Sequence, residues 1–134
     1  MNYKSAFVAK RTIVICDDND DILEIFGMTL RNDGYNVGTA HNFNELRPLL
    51  KTLNPDLLIL DIQIPDELDG FDIIEEIRRL GLALPIMLVT AHDHFMYRLY
   101  APISGVRDFL TKPVDPEVLL QKIKLVLTEP AARP

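Results

Sequence analysis

The chain has 134 residues and a mass of 15.3 kDa, enough for one domain and too little for two, since domains cluster at about 100–150 residues. Its 48% hydrophobic and 25% charged residues exclude disorder, and its net charge of −6 argues against binding nucleic-acid phosphates through bulk charge. No apolar run approaches the ~18 residues of a membrane span. The single cysteine, Cys16, excludes an internal disulfide framework or cysteine zinc site, and the start MNYKSAFVAKR has no secretory pattern, so a cytoplasmic protein without membrane contact is expected.

Residues 1–10 read as a tail. Thr12–Cys16 (TIVIC) is a continuous β-branched run of the kind buried on both faces in a parallel sheet. Asp20–Asn32 follows as a helix with Ile22, Ile25, Phe26, Thr29 and Leu30 near a 3.6-residue period, stopped by Gly34. Tyr35–Ala40 is a weaker strand, expected near an edge. Asn42 with Glu45 three residues on is a capping-box pattern opening a second helix, with Pro48 in about its first turn. Leu57–Leu60 is a third strand, and Phe71–Leu80 an amphipathic helix ending at Gly81. Pro85–Thr90 and Val106–Leu110 are strands four and five. Between them, His92–Ile103 has helical potential interrupted by Pro102, which predicts a short or displaced fourth helix. Asp115-Pro116 is a strong start for the last helix, with Val118, Leu119, Ile123, Val126 and Leu127 as its apolar positions. Residues 129–134 (EPAARP) read as a second tail or a linker stub, leaving one domain over residues 11–128.

Five strands alternating with helices predict an α/β fold on a parallel sheet. Right-handed crossovers leave few topologies, among them the flavodoxin-like, doubly wound, five-stranded order 2-1-3-4-5 with five helices. Sites in such folds lie at the carboxyl ends of the strands. There the sequence puts Asp17-Asp18-Asn19-Asp20-Asp21, Asp61, Thr90 and Thr111-Lys112-Pro113. Three neighbouring carboxylates repel one another unless compensated. Mg²⁺ resolves that repulsion with oxygen ligands and keeps positions open for a phosphate oxygen. Lys112 offers a compact positive charge and Thr90 a hydroxyl. The set suits phosphoryl transfer onto a carboxylate.

The runs IVICDDND (13–20), DLLILDIQIPDELDG (56–70), LPIMLVTAHD (84–93) and DFLTKPVDPEVL (108–119) resemble the receiver domains of bacterial two-component response regulators, the chemotaxis-regulator type included. The resemblance covers about residues 11–127. It implies that Asp61 is the phosphoacceptor, that Asp17 and Asp18 form the acidic pair, and that Asp18 is the more direct ligand of Mg²⁺ or Mn²⁺. It further implies Asp61 and the Gln63 backbone carbonyl as metal ligands beside the acidic pair, and Thr90 as the switch hydroxyl. Lys112 becomes the partner of acceptor and phosphoryl group, with a commonly cis bond to Pro113, and Phe109 the switch aromatic. The implied function is a phosphorylation-dependent switch, not a turnover enzyme, that assists its own phosphorylation and dephosphorylation. Its partners would be a histidine kinase or histidine phosphotransfer protein and, through the fourth-helix, fifth-strand and fifth-helix face, a downstream protein or a second copy. The separations of 43 residues from Asp18 to Asp61, 29 to Thr90 and 22 to Lys112 suit that family. Two features depart from it: the loop after Asp61 runs one residue longer before Gly70, and Pro102 disturbs the fourth helix.

Each residue alone has a plainer reading. Asp17–Asp21 could cap a helix, Thr90 could be an ordinary strand residue and Lys112 a surface lysine; Asp20 and Asp21 keep the capping role. His92 and His94 read as exposed residues near the pocket mouth, Phe95, Tyr97 and Tyr100 as either core or interface, and Cys16 as a packed, inert thiol. A haloacid-dehalogenase-type phosphatase would want an aspartate where Gln63 stands. A flavodoxin-like cofactor binder would find phosphate repelled by Asp17–Asp20. A pseudo-receiver that never uses phosphate would not need the intact acidic set.

Overall fold

The computed structural model describes residues 10–61, 70–90 and 106–128. The strands are β1 (Thr12–Cys16), β2 (Asn36–Ala40), β3 (Leu57–Asp61), β4 (Ile86–Thr90) and β5 (Val106–Thr111). The helices are α1 (Asp20–Asn32), α2 (Phe43–Thr52), α3 (Gly70–Arg79) and α4 (Pro116–Thr128). The expected helix between β4 and β5, with Pro102, His92, His94, Phe95, Tyr97 and Tyr100, lies outside the described residues, as does Gln63; α4 is therefore the fifth helical segment of the sequence.

All strand pairs are parallel and the order is β2-β1-β3-β4-β5. The continuous apolar runs are explained by burial on both faces. Val14 and Cys16 of β1, Leu58 and Leu60 of β3, and Ile86 and Leu88 of β4 face one core, closed by Leu46 and Leu50 of α2 and Ile73, Ile74 and Ile77 of α3. Their alternates Ile13, Ile15, Leu57, Ile59, Met87 and Val89 face a second core, closed by Leu23, Phe26 and Leu30 of α1 and Leu119, Ile123 and Val126 of α4. Period-two alternation in β1, β3 and β4 thus feeds two helical layers and leaves these strands no solvent-facing side. β2 and β5 are the edge strands, and the burial of β2 is partial until Ala40.

Local chemistry ends the helices where expected. Asn19 caps α1 by accepting from the Asp21 and Ile22 amides. Asp115 caps α4 by accepting from Glu117 N–H at 2.8 Å. Gly34 and Gly81 adopt φ of +97° and +80°. After α1 the Gly34 amide donates to Arg31 and the Tyr35 amide to Leu30, the paired closure that needs a left-handed residue. A β-carbon on Gly34 would meet nothing within 4 Å, so any penalty there is conformational rather than steric. Gly34→Ala is expected to lower the unfolding free energy by about 1 kcal/mol, read from the urea midpoint at unchanged m-value.

Four details correct the sequence reading. Ile25 of α1 is 51% exposed, and Leu23 takes the core position instead; the true stripe is Leu23, Phe26, Gly27 and Leu30. Val118 is likewise exposed. Pro48 is the sixth residue of α2 rather than a first-turn residue, so it removes an amide that an uninterrupted helix would bond. The capping box is half formed: Asn42 accepts from Glu45 N–H at 2.9 Å, but the Glu45 carboxylate accepts from His41 N–H at 2.8 Å, one residue earlier than the reciprocal bond requires.

Candidate functional site

Parallel pairing brings the carboxyl ends of β1, β3, β4 and β5 to one rim. Asp61 ends β3, Thr90 ends β4, and Asp17 and Asp18 follow β1. Asp17 N–H donates to Ala40 C=O at 3.0 Å, tying the loop after β1 to the end of β2. The Asp17 carboxylate turns back on its own loop, accepting from Asn19 N–H at 2.9 Å. One carboxylate oxygen each from Asp17, Asp18 and Asp61 lie within 4.8 Å of one another. Asp17 and Asp61 are buried, at 2% and 4% exposure, while Asp18 faces solvent.

Lys112 enters from the end of β5. Its Nζ donates to Asp61 Oδ2 at 3.0 Å and to Asp17 Oδ2 at 3.1 Å. Its backbone N–H donates to Thr90 C=O at 2.6 Å, which locks the lysine to the end of β4. The Lys112–Pro113 bond is cis, as the resemblance implied. Thr90 is fully buried. Phe109 is partly buried on β5 and packs against the core formed with α2 and α3. The sequence-predicted Asp17, Asp18, Asp61, Thr90 and Lys112 therefore share one rim, whereas Gln63 lies outside the described residues.

Burial pushes the Asp17 carboxyl above its ordinary value. Its bond from Asn19 pulls the other way, the Asp61 charge adds to the rise and Lys112 opposes it. For Lys112, burial alone would lower the ammonium, but the bonds to Asp61 and Asp17 and their charges prevail and raise it. Lys112 is thus held charged and the pocket is short of positive charge: three carboxylates face one ammonium. A small dication with oxygen preference fits that deficit, and Asp18 is the carboxylate of the three that reaches solvent. Cys16 is buried beside this pocket. Burial first, and then the charges of Asp17 and Asp61, push its thiol up, which makes it the inert packed residue expected.

The sequence reading gave no role to His41, which follows β2 directly. Its Nε2 contacts Asp20 Oδ1 of α1, and its Nδ1 lies 2.7 Å from Glu45 Oε1 of α2. A histidine at a strand's carboxyl end with a glutamate four residues on was the available signal.

A family model described as the response regulator receiver domain matches residues 13–124. The chain belongs to this family: it is a response regulator receiver domain of two-component signalling. It is 38% identical over 121 residues to the 14.6 kDa protein in the sodA1 3′ region of Leptolyngbya boryana, covering 89% of both chains. It is 31% identical over 117 residues to the alkaline phosphatase synthesis transcriptional regulatory protein PhoP of Bacillus subtilis, covering 87% of this chain and 48% of that one. The chain thus spans half or less of several curated relatives it matches. Among solved structures, the non-phosphorylated HemR receiver domain of Leptospira biflexa is similar with a TM-score of 0.83 and 29% identity, over 93% of this chain and 98% of that one. A CheY-like receiver domain protein of Methanospirillum hungatei gives 0.81 and 28%, over 89% and 94%. Receiver domains are switch domains, and membership implies a histidine kinase as partner. Among the described residues no helix is long and apolar enough to cross a membrane.

Proposed function

We propose that this receiver domain, residues 11–128 between two tails, takes a phosphoryl group from a phosphohistidine onto Asp61 and switches partner binding when it does. The observation that carries the reading is the convergence of Asp17, Asp18 and Asp61 within 4.8 Å beneath a lysine bonded to two of them. An Asp61 oxygen forms the new P–O bond as the P–N bond of the donor breaks, and the donor imidazole departs with the electron pair and takes up a proton. Lys112, already 3.0 Å from Asp61, is positioned to neutralise the added phosphoryl charge. Asp17, Asp18 and Asp61, with the Gln63 carbonyl, would hold Mg²⁺ or Mn²⁺, which would supply charge neutralisation for the transferring oxygens. Thr90 offers its hydroxyl to a phosphoryl oxygen, and Phe109 reorients as the rim closes. Water then attacks the phosphorus, the bond between phosphorus and the Asp61 oxygen breaks, inorganic phosphate leaves with the water's oxygen, one water proton passes to phosphate or solvent, and the free Asp61 carboxylate returns the domain to rest.

The donor would be a histidine kinase or histidine phosphotransfer protein in the cytoplasm. The output surface would be β5, α4 and the segment between β4 and β5, engaging a downstream protein or a second copy.

Intact-mass spectrometry after incubation with acetyl phosphate and Mg²⁺ tests this. A gain of one phosphoryl group is expected, absent from Asp61→Asn and absent with EDTA. A missing adduct in the parent chain, together with no spectral response to beryllofluoride, would overturn the reading in favour of a domain that signals without phosphate.

A further inference from the structure

His41 stands outside the acidic pocket and is joined to the loop that builds it. It is only half-exposed, at 43% of its side chain, and both ring nitrogens meet carboxylates: Nε2 meets Asp20 of α1, and Nδ1 meets Glu45 of α2 at 2.7 Å. A neutral imidazole has one N–H and one lone pair, so it can satisfy only one of these acceptors; the other contact would set a lone pair against an anion. The geometry requires the imidazolium. Asp20 and Glu45 are the charged groups that meet the ring from the helices on either side, and their bonds raise its pKa against a small opposing effect of burial.

The two contacts are not equivalent. Glu45 also accepts from the His41 backbone N–H at 2.8 Å, so that side is anchored whether or not the ring is charged. The Asp20 contact spans 21 residues and has only the ring to hold it, so both ring contacts stand together only with the imidazolium. Asp20 lies two residues past Asp18, and one residue before His41 the Ala40 carbonyl receives the Asp17 amide at 3.0 Å. The Asp20 contact is therefore a second strap between the β1–α1 loop and the end of β2.

We infer that His41 is a positioning residue for the acidic pocket: clamped between Asp20 and Glu45, its imidazolium holds the β1–α1 loop so that Asp17 and Asp18 are preset to receive a divalent cation. This rests on the metal-binding reading above. It goes beyond it by making a residue that touches neither metal nor phosphoryl group set the affinity, and by making that contribution proton-dependent.

The test is Mg²⁺ affinity of the full chain, read from pocket NMR shifts, in the parent, His41→Ala and His41→Arg from pH 6 to 9. An exposed ion pair has modest reach, so His41→Ala is expected to bind about two- to fivefold more weakly at pH 6, with the ratio falling towards one as His41 loses its proton. His41→Arg, which keeps a charged multiple donor, is expected to restore affinity across the whole range. In the metal-free parent, the His41 ring signals, assigned by their loss in His41→Ala, should titrate above 6.5, the ordinary imidazole value. A ratio that stays constant with pH would mean that the ring acts by bulk alone, and a ratio of one throughout would remove any positioning role; either overturns the inference. A parent chain that binds no Mg²⁺ at any pH would instead overturn the metal reading, so the two failures are distinct.

Discussion

Lys112→Ala is expected to destabilise the metal-free chain by about 2–3 kcal/mol at pH 8, below the 3–5 kcal/mol typical of breaking a fully buried pair because the lysine retains some exposure, and by clearly less at pH 5. The lysine is 22% exposed and its two partners at most 5%. Removing it leaves two buried carboxylates that repel each other without their shared cation. Each must then remain charged at a cost or take up a proton, and the folded-state pKa of Asp17, already raised, loses the opposing effect of the lysine. A folded state that binds more protons than the unfolded one loses stability as pH rises. The penalty should therefore be small below the unfolded carboxylate value and grow as pH rises through the elevated folded values. Urea unfolding of parent and variant at pH 5 and pH 8 gives the comparison, and saturating Mg²⁺ should recover much of the loss at pH 8. A penalty of equal size at both pH values would assign the effect to the packing of the lysine stem and not to its charge.

Ile59→Ala should be the costlier substitution, at about 4 kcal/mol, within the usual range for deleting a buried Ile side chain. β3 is the middle strand, buried along all five residues, and Ile59 lies in the core between the sheet and the α1 and α4 layer at 1% exposure. Helices and neighbouring strands enclose the site, so the cavity has little freedom to collapse. Leu125→Ala is the matched control. At 65% exposure it covers no core, and a change within about 0.5 kcal/mol is expected. Equal losses at the two positions in urea titrations would contradict the two-core arrangement.

The sheet was legible because its chemistry is redundant. TIVIC, LLIL and IMLVT each exclude a polar face, and that pattern has few homes outside a parallel sheet covered on both sides. Asp61, Thr90 and Lys112 were legible for a related reason: each follows such a run, and parallel strands deliver their ends to one rim. The helices were read less well. Ile25 and Leu23 are both apolar and only two residues apart, so periodicity alone left the phase of α1 open, and packing against β1, β2 and α4 decided it. Glu45 occupies the capping-box position, yet its carboxylate turns to His41, because a donor pair one residue earlier outcompetes the local bond. His41 itself was invisible as a site residue. Its meaning depends on Asp20, which is distant in sequence and close only once β2 pairs with β1.

The lysine that spans the pocket also has a consequence for the order in which the molecule is made. Its two carboxylate partners stand 95 and 51 residues earlier in the chain. A nascent chain that has emerged only as far as β4 already carries Asp17, Asp18 and Asp61, but not the ammonium that bridges two of them. The lysine-bridged pocket comes into being only when β5 is added at the far edge of the sheet. Until β5 joins the sheet, the buried carboxylates at this rim lack the cation they share, so the electrostatics of the pocket are completed late in synthesis.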